Sequence, residues 1–154
     1  MIVYRICRGE FSTDLSGRGA MRYGGRWNTK VNSVLYTSSS RALVTVEYAV
    51  HLRLGNSTDG FRIVSIEIPE GAVIRQISYE NLDNNWKSFP FHFSTQRTGN
   101  DWLKSRESLA LKVHLVIVQR EFNCLINPLH DDFPSVKIVG NEPFVFDKRL
   151  INNN

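Results

Sequence analysis

The stretch GRGAMRYGGRWNTKVNSVLYTSSSRALVTVEYAVHLRL, residues 17–54, decides how the chain reads. A loop rich in glycine and arginine comes first, then a short apolar strand, a serine cluster and an amphipathic helix. In the loop, Gly24-Gly25 frees the backbone to take positive φ and to approach a ligand closely. Arg26 presents a rigid fork of donors suited to phosphate or carboxylate. Trp27 offers a flat face for stacking, and Asn28 offers both donors and acceptors. A tight turn with a solvated arginine is the plainer reading of the same residues.

Ser33 to Thr37 reads as a strand, with Val34 and Tyr36 on one face and Leu35 on the other. A tyrosine near its end can stack on a flat ring, or simply fill core. Ser38, Ser39 and Ser40 supply an N-cap for the helix expected over Arg41 to Leu54. At about 100° per residue, Leu43, Val44, Val50 and Leu54 share one arc of that helix, and Glu47 lies inside it. His51 follows one turn later. A carboxylate on an apolar face loses hydration unless something pairs with it, and Arg26 or another cation of the loop is the expected partner. Two readings stand: a helix-edge glutamate whose head reaches solvent, or a buried carboxylate in a pocket wall.

Outward from this stretch, Ile2 to Ile6 alternates as a first strand carrying Arg5. Arg8 to Ala20 reads as loop with one short helical turn. Residues 55–60, GNSTDG, form a turn. Arg62 to Ile68 alternates as a strand, and Ala72 to Ile77 is a further extended piece. Asn81 to Thr98 is irregular and aromatic, with Trp86, Phe89, Phe91 and Phe93, and suggests a flap or a cover over a sheet edge. Gly99-Asn100-Asp101 looks like the cap of a helix starting near Trp102. Leu109 to Val118 reads as a buried strand, at least from Val113, with His114 a satisfied core or edge histidine. Another strand follows at Phe122 to Pro128 and a last one at Phe144 to Phe146. His130-Asp131-Asp132 reads as a solvated turn rather than a metal cluster. Many short strands and few helices indicate an α+β fold.

At 154 residues the chain is expected to be one domain over 1–150 with a short tail at 151–154. Two cysteines, Cys7 and Cys124, at no metal-binding spacing argue against a zinc site and for a reducing compartment. The first ten residues carry charge too early for a signal peptide, and no apolar run approaches membrane-spanning length. A cytoplasmic location is therefore expected. The net charge of +4 permits anionic ligands without demanding them.

Several segments in order give the chain a family likeness. They are YRI at residues 4–6, the glycine-rich run ending GGRWN at 17–28, VLYTSSS at 34–40 and a helix bearing Glu47. Later come GNDWL at 99–103, FNCLINPLHDDF at 122–133 and PFVFDKRL at 143–150. Together these segments resemble the RES family, the toxin half of bacterial RES–Xre toxin–antitoxin pairs. The resemblance implies an ADP-ribosyltransferase-like fold, with short strands in two packed sheets. It implies cleavage of NAD+ at the nicotinamide–ribose bond, with ADP-ribose passed to phosphate or water, or in one branch to a protein. It implies no metal, and an Xre-like antitoxin as partner. It places the family's essential arginine at Arg26, its tyrosine at Tyr36 and its glutamate at Glu47, with Arg5 in the NAD+ pocket and Asn28 beside it. One position departs: counting back from Asn123, the family's serine falls on Leu115. A binding protein that keeps the fold without turnover is the alternative this raises. A nucleic-acid-binding module, resting only on charge and aromatics, is a third, and predicts steeply salt-dependent affinity. Oligomeric state, a homo-oligomer included, is left open.

Overall fold

The computed structural model describes residues 1–52 and 59–150. The expected tail at 151–154, the helix's last expected residue Leu54 and most of the 55–60 turn lie outside the described residues. The described residues form one mixed seven-stranded sheet with three α-helices. The strands are β1 (Ile2–Arg8), β2 (Leu35–Ser38), β3 (Phe61–Glu67), β4 (Ile74–Gln76), β5 (Ala110–His114), β6 (Phe122–Ile126) and β7 (Lys137–Phe144). Their order is β4-β5-β6-β2-β1-β3-β7. Every neighbouring pair is antiparallel except β4 and β5.

The sheet is continuous but nearly parted in the middle. β1 pairs with β3 along its whole length, from Ile2↔Glu67 to Arg8↔Phe61. It meets β2 at one pair only, Tyr4↔Ser38. The two sheets expected from the sequence are thus two halves of one hydrogen-bonded sheet, splayed at this seam. Residues of both strands at this seam, Arg5 and Ile6 of β1 and Leu35 to Ser38 of β2, line a cleft.

Three apolar clusters hold the halves. Val3, Leu35, Val64, Ile66, Leu109 and Ile126 form the largest. Trp27, Val34, Trp86, Trp102, Val113 and Leu125 form the second, against the glycine-rich loop. Ile6, Val44, Phe61, Ile63 and Phe146 form the third, under the central helix. As read from alternation, Leu35 enters the first cluster while Val34 and Tyr36 join the second.

The helices are α1 (Arg18–Tyr23), α2 (Arg41–Ala49) and α3 (Phe93–Ser105). Ser40 caps α2, its Oγ accepting from the Leu43 N–H at 3.1 Å. The helix stops at Ala49, earlier than its apolar pattern suggests. Three other expectations need correction. α3 begins at Phe93, not near Trp102. Gly99 and Asn100 lie inside it because they are a packing site, not a cap: a Cβ on Gly99 would fall 1.8 Å from the Trp27 carbonyl oxygen. Asn100 bonds Thr29 twice, at 3.2 and 2.9 Å. The strand expected through Val118 ends at His114, and 116–120 turn back toward β6. The last strand is Lys137–Phe144 rather than Phe144 to Phe146. It is an edge strand held by pairing with β3, with polar residues, Gly140 and Pro143 instead of alternation.

Candidate active site

A cleft of about 740 Å³ opens at the seam. Arg5 and Ile6 of β1, the loop from Gly24 to Trp27, β2, and Val44, Glu47 and His51 of α2 line it. Phe89, Phe91, Leu115 and Asn123 complete its lining. The volume lies in the range of sites that enclose small organic ligands.

The loop is built around one tyrosine hydroxyl. The Tyr36 hydroxyl accepts from the Trp27 N–H at 3.0 Å and donates to Asn28 Oδ1 at 2.9 Å. Burial pushes that hydroxyl's pKa well up, so it stays a donor. Asn28 is wholly buried. Its Nδ2 donates to the carbonyls of Ala20 at 2.9 Å and Asn32 at 3.0 Å. All of its capacity is consumed inside the loop and it does not line the cleft. The expectation of a ligand-facing Asn28 gives way to a residue that shapes the loop. Trp27 likewise buries its indole in the second cluster rather than offering a free face. Gly25 has no room for a side chain, because a Cβ there would sit 2.6 Å from the Tyr36 hydroxyl. From α3, Gln96 Nε2 donates to the Gly25 carbonyl at 3.0 Å.

This scaffold presents Arg26. Its Nη1 donates to the carbonyls of Trp86 and, at 3.1 Å, Ser88, and its guanidinium lies 5.0 Å from the centre of the Phe91 ring. The aromatic segment 86–91 is therefore clamped to the arginine as one wall of the cleft. Burial lowers the Arg26 pKa, with the nearby charge of Glu47 acting against it. Arg5 leaves β1 at the opposite side and donates to the Asp14 carbonyl at 2.6 Å.

Glu47 is half-buried in the cleft wall, nearer the second of the two sequence readings. Among the described residues it forms no ion pair with Arg26, so the expected pairing is a longer-range attraction. Burial raises its pKa; the charges of His51 and Arg26 and the neighbouring Asn123 amide oppose the rise. Its Oε2 is shut from solvent and has no hydrogen-bond partner among the described residues. Of the apolar arc, Val44 packs inward and borders the cleft, and Val50 is exposed at the rim.

Asn123 was legible only as a family match, and its partner Ser38 only as one of three serines. The two are cross-strand neighbours of β2 and β6, both buried, and the Ser38 Oγ lies 2.7 Å from Asn123 Oδ1. Leu115 is buried and gives the cleft a hydrocarbon wall where a hydroxyl was expected from the family. His114 bonds the Ile77 carbonyl at 3.1 Å and stacks among Tyr79, Trp86 and Phe122, as a packed histidine does. Residues 130–132 form a turn.

An α+β sheet parted over a cleft, with an arginine loop on one side and a helix-borne glutamate on the other, is the architecture on view. Residues 2–147 match the RES domain, and the chain belongs to the RES domain family. It is 36% identical over 152 residues to a protein named Toxin Res from Yersinia enterocolitica, covering 97% of this chain and 99% of that protein. It is 36% identical over 140 residues to a Prs ADP-ribosylating toxin from Sphingobium, covering 90% and 87%. Among solved structures it superposes on a chain of the MbcT–MbcA toxin–antitoxin complex of M. tuberculosis. The TM-score is 0.74 and the identity 17%, over 94% of this chain and 84% of that one. At that identity the likeness is one of fold. Among the described residues no helix is long and apolar enough to cross a membrane.

Proposed function

We propose that this protein is the toxin of a toxin–antitoxin pair and cleaves NAD+ at the bond between nicotinamide and ribose. The observation that carries the reading is Glu47: a half-buried carboxylate in the wall of a cleft of ligand size, with one oxygen, Oε2, that has no hydrogen-bond partner among the described residues. Such an oxygen is complete only when a ligand brings it a donor or a positive charge. A ribose does both, through its hydroxyls in the ground state and through the cationic C1′ as the glycosidic bond breaks.

The residues carry the steps as follows. The C1′–N bond breaks with its electron pair going to nicotinamide, which leaves neutral. Positive charge develops on the ribose, and Glu47 stabilises it from a position fixed before reaction begins. Arg26 and Arg5 supply the cations for the pyrophosphate. The Tyr36 ring stacks on the departing pyridine, while its hydroxyl stays committed to the loop. An oxygen of phosphate or water then bonds to C1′ and loses its proton to the medium. Nothing in these steps calls on a metal. The Sphingobium relative's name supports a second reading, in which the acceptor is a protein.

The partner in this reading is an Xre-like antitoxin, met in the cytoplasm; the relatives named Toxin Res and the fold likeness to a chain of a toxin–antitoxin complex support an antitoxin partner. The test is to incubate the protein with NAD+, with and without phosphate, and to identify nicotinamide and the ADP-ribose product. Nicotinamide release with a phosphorylated or free ADP-ribose supports the proposal. Binding of NAD+ without release leaves a non-catalytic binding protein in its place.

A further inference from the structure

We propose that Ser38 is a positioning residue: by donating to Asn123 Oδ1 it locks that amide with Nδ2 toward Glu47, and so holds the carboxylate for the reaction. The argument rests on the reading of Glu47 given above and on hydrogen-bond chemistry. Ser38, Asn123 and Glu47 line the same cleft, and an ionised carboxylate only accepts, so an Asn123 amide turned toward it must present its NH2. Oδ1 then faces Ser38, 2.7 Å away, and the hydroxyl must be the donor. Turned the other way, Asn123 would set its oxygen against a carboxylate. Both Ser38 and Asn123 are buried. The backbone supports the arrangement: Ser38 and Asn123 are direct partners across β2 and β6, and Ser38 is also the residue at which β1 touches β2. The amide is therefore anchored at the seam where the cleft opens.

The groups facing Glu47 are His51 from the next turn of α2, Arg26 from the loop and Tyr36 from β2. All stay in place when Ser38 is changed, so their contributions cancel between variants. In Ser38→Ala the amide is free to turn, and Glu47 loses a donor that favours its charged form. Two readouts follow. The titration of the Glu47 side-chain carboxyl, followed by 13C NMR, moves to higher pH in Ser38→Ala. Nicotinamide release falls about tenfold near neutral pH, the scale of one hydrogen bond to a charged group, and recovers in part as pH rises. In an Asn123→Ala background, Ser38→Ala changes neither readout further.

An unmoved midpoint in Ser38→Ala, or equal effects of that change with and without Asn123, overturns the proposal. If Ser38→Ala does not fold, Ser38→Cys, close in shape but a weak donor, makes the same comparison. A wild-type protein that releases no nicotinamide refutes the proposed activity instead, and the NMR midpoints then decide the role of Ser38 alone.

Discussion

Replacing Glu47 by glutamine should move activity and stability in opposite directions. The side chain keeps its length and volume, so α2 and its contacts with Phe61 and Phe146 through Tyr48 are untouched. What changes is charge. Burial holds the Glu47 carboxyl above its ordinary pKa, so folding at neutral pH works against its ionisation. A raised carboxyl pKa means that the native state binds more protons than the unfolded chain between the two pKa values. Stability therefore falls as pH rises from the unfolded value to the folded one, and stays lower above it. Glutamine carries no such penalty. Every 1 kcal/mol relieved raises the melting temperature of a domain this size by about 2–4 °C. Activity goes the other way. Losing the fixed charge beside the ribose removes stabilisation on the scale of an oxyanion-hole donor, about 10²–10³ in rate. Thermal melts at pH 7 and pH 4, paired with a nicotinamide assay on the same preparations, test both halves. The wild-type and variant melting temperatures should converge at pH 4, where the carboxyl is protonated. A variant less stable than wild type at pH 7 would refute the burial argument. Unchanged nicotinamide release would remove Glu47 from the chemistry.

Further outcomes follow from the loop. Gly99→Ala drives a methyl group against the Trp27 backbone, which no side-chain rotation relieves. It should destabilise by about 1–3 kcal/mol or more and lower activity as the loop shifts, read as a fall in the urea midpoint. Tyr36→Phe leaves the Trp27 N–H and Asn28 Oδ1 without their shared partner, at a cost of about 1–3 kcal/mol in the same measurement. Arg26→Lys keeps the charge but loses the planar fork that reaches the Trp86 and Ser88 carbonyls. KM for NAD+ should rise at least several-fold, and proteolysis at residues 86–91 should quicken; equal KM and equal proteolysis would count against the clamp.

Much of this was readable from local pattern because the local pattern had a local cause. The N-cap at Ser40, the two faces of β2 and the alternation of β3 depend on side-chain period and on hydrogen bonds within a few residues. Misreadings came where a distant backbone supplied the reason. Gly99-Asn100-Asp101 has the composition of a helix cap, yet Gly99 is there for Trp27, 72 positions earlier in the chain. β7 lacks any period because β3 pairs with it. Asn28 and Trp27 have the chemistry of ligand contacts and were spent on holding a loop, which a list of donors and aromatics cannot reveal.

By itself the chain's order of residues determined the α+β class, the loop–strand–helix unit and its three chemical groups, Arg26, Tyr36 and Glu47, because propensity, period and motif are carried by neighbours. Only the tertiary structure decided that one oxygen of Glu47 is shut from water and unpartnered, that Arg26 is tied to 86–91 rather than to Glu47, and that Ser38 and Asn123 meet. These are facts of burial and of contact between strands far apart in the chain. The energy of a charge depends on what surrounds it in space, and strand pairing across the sheet is what brings those surroundings together.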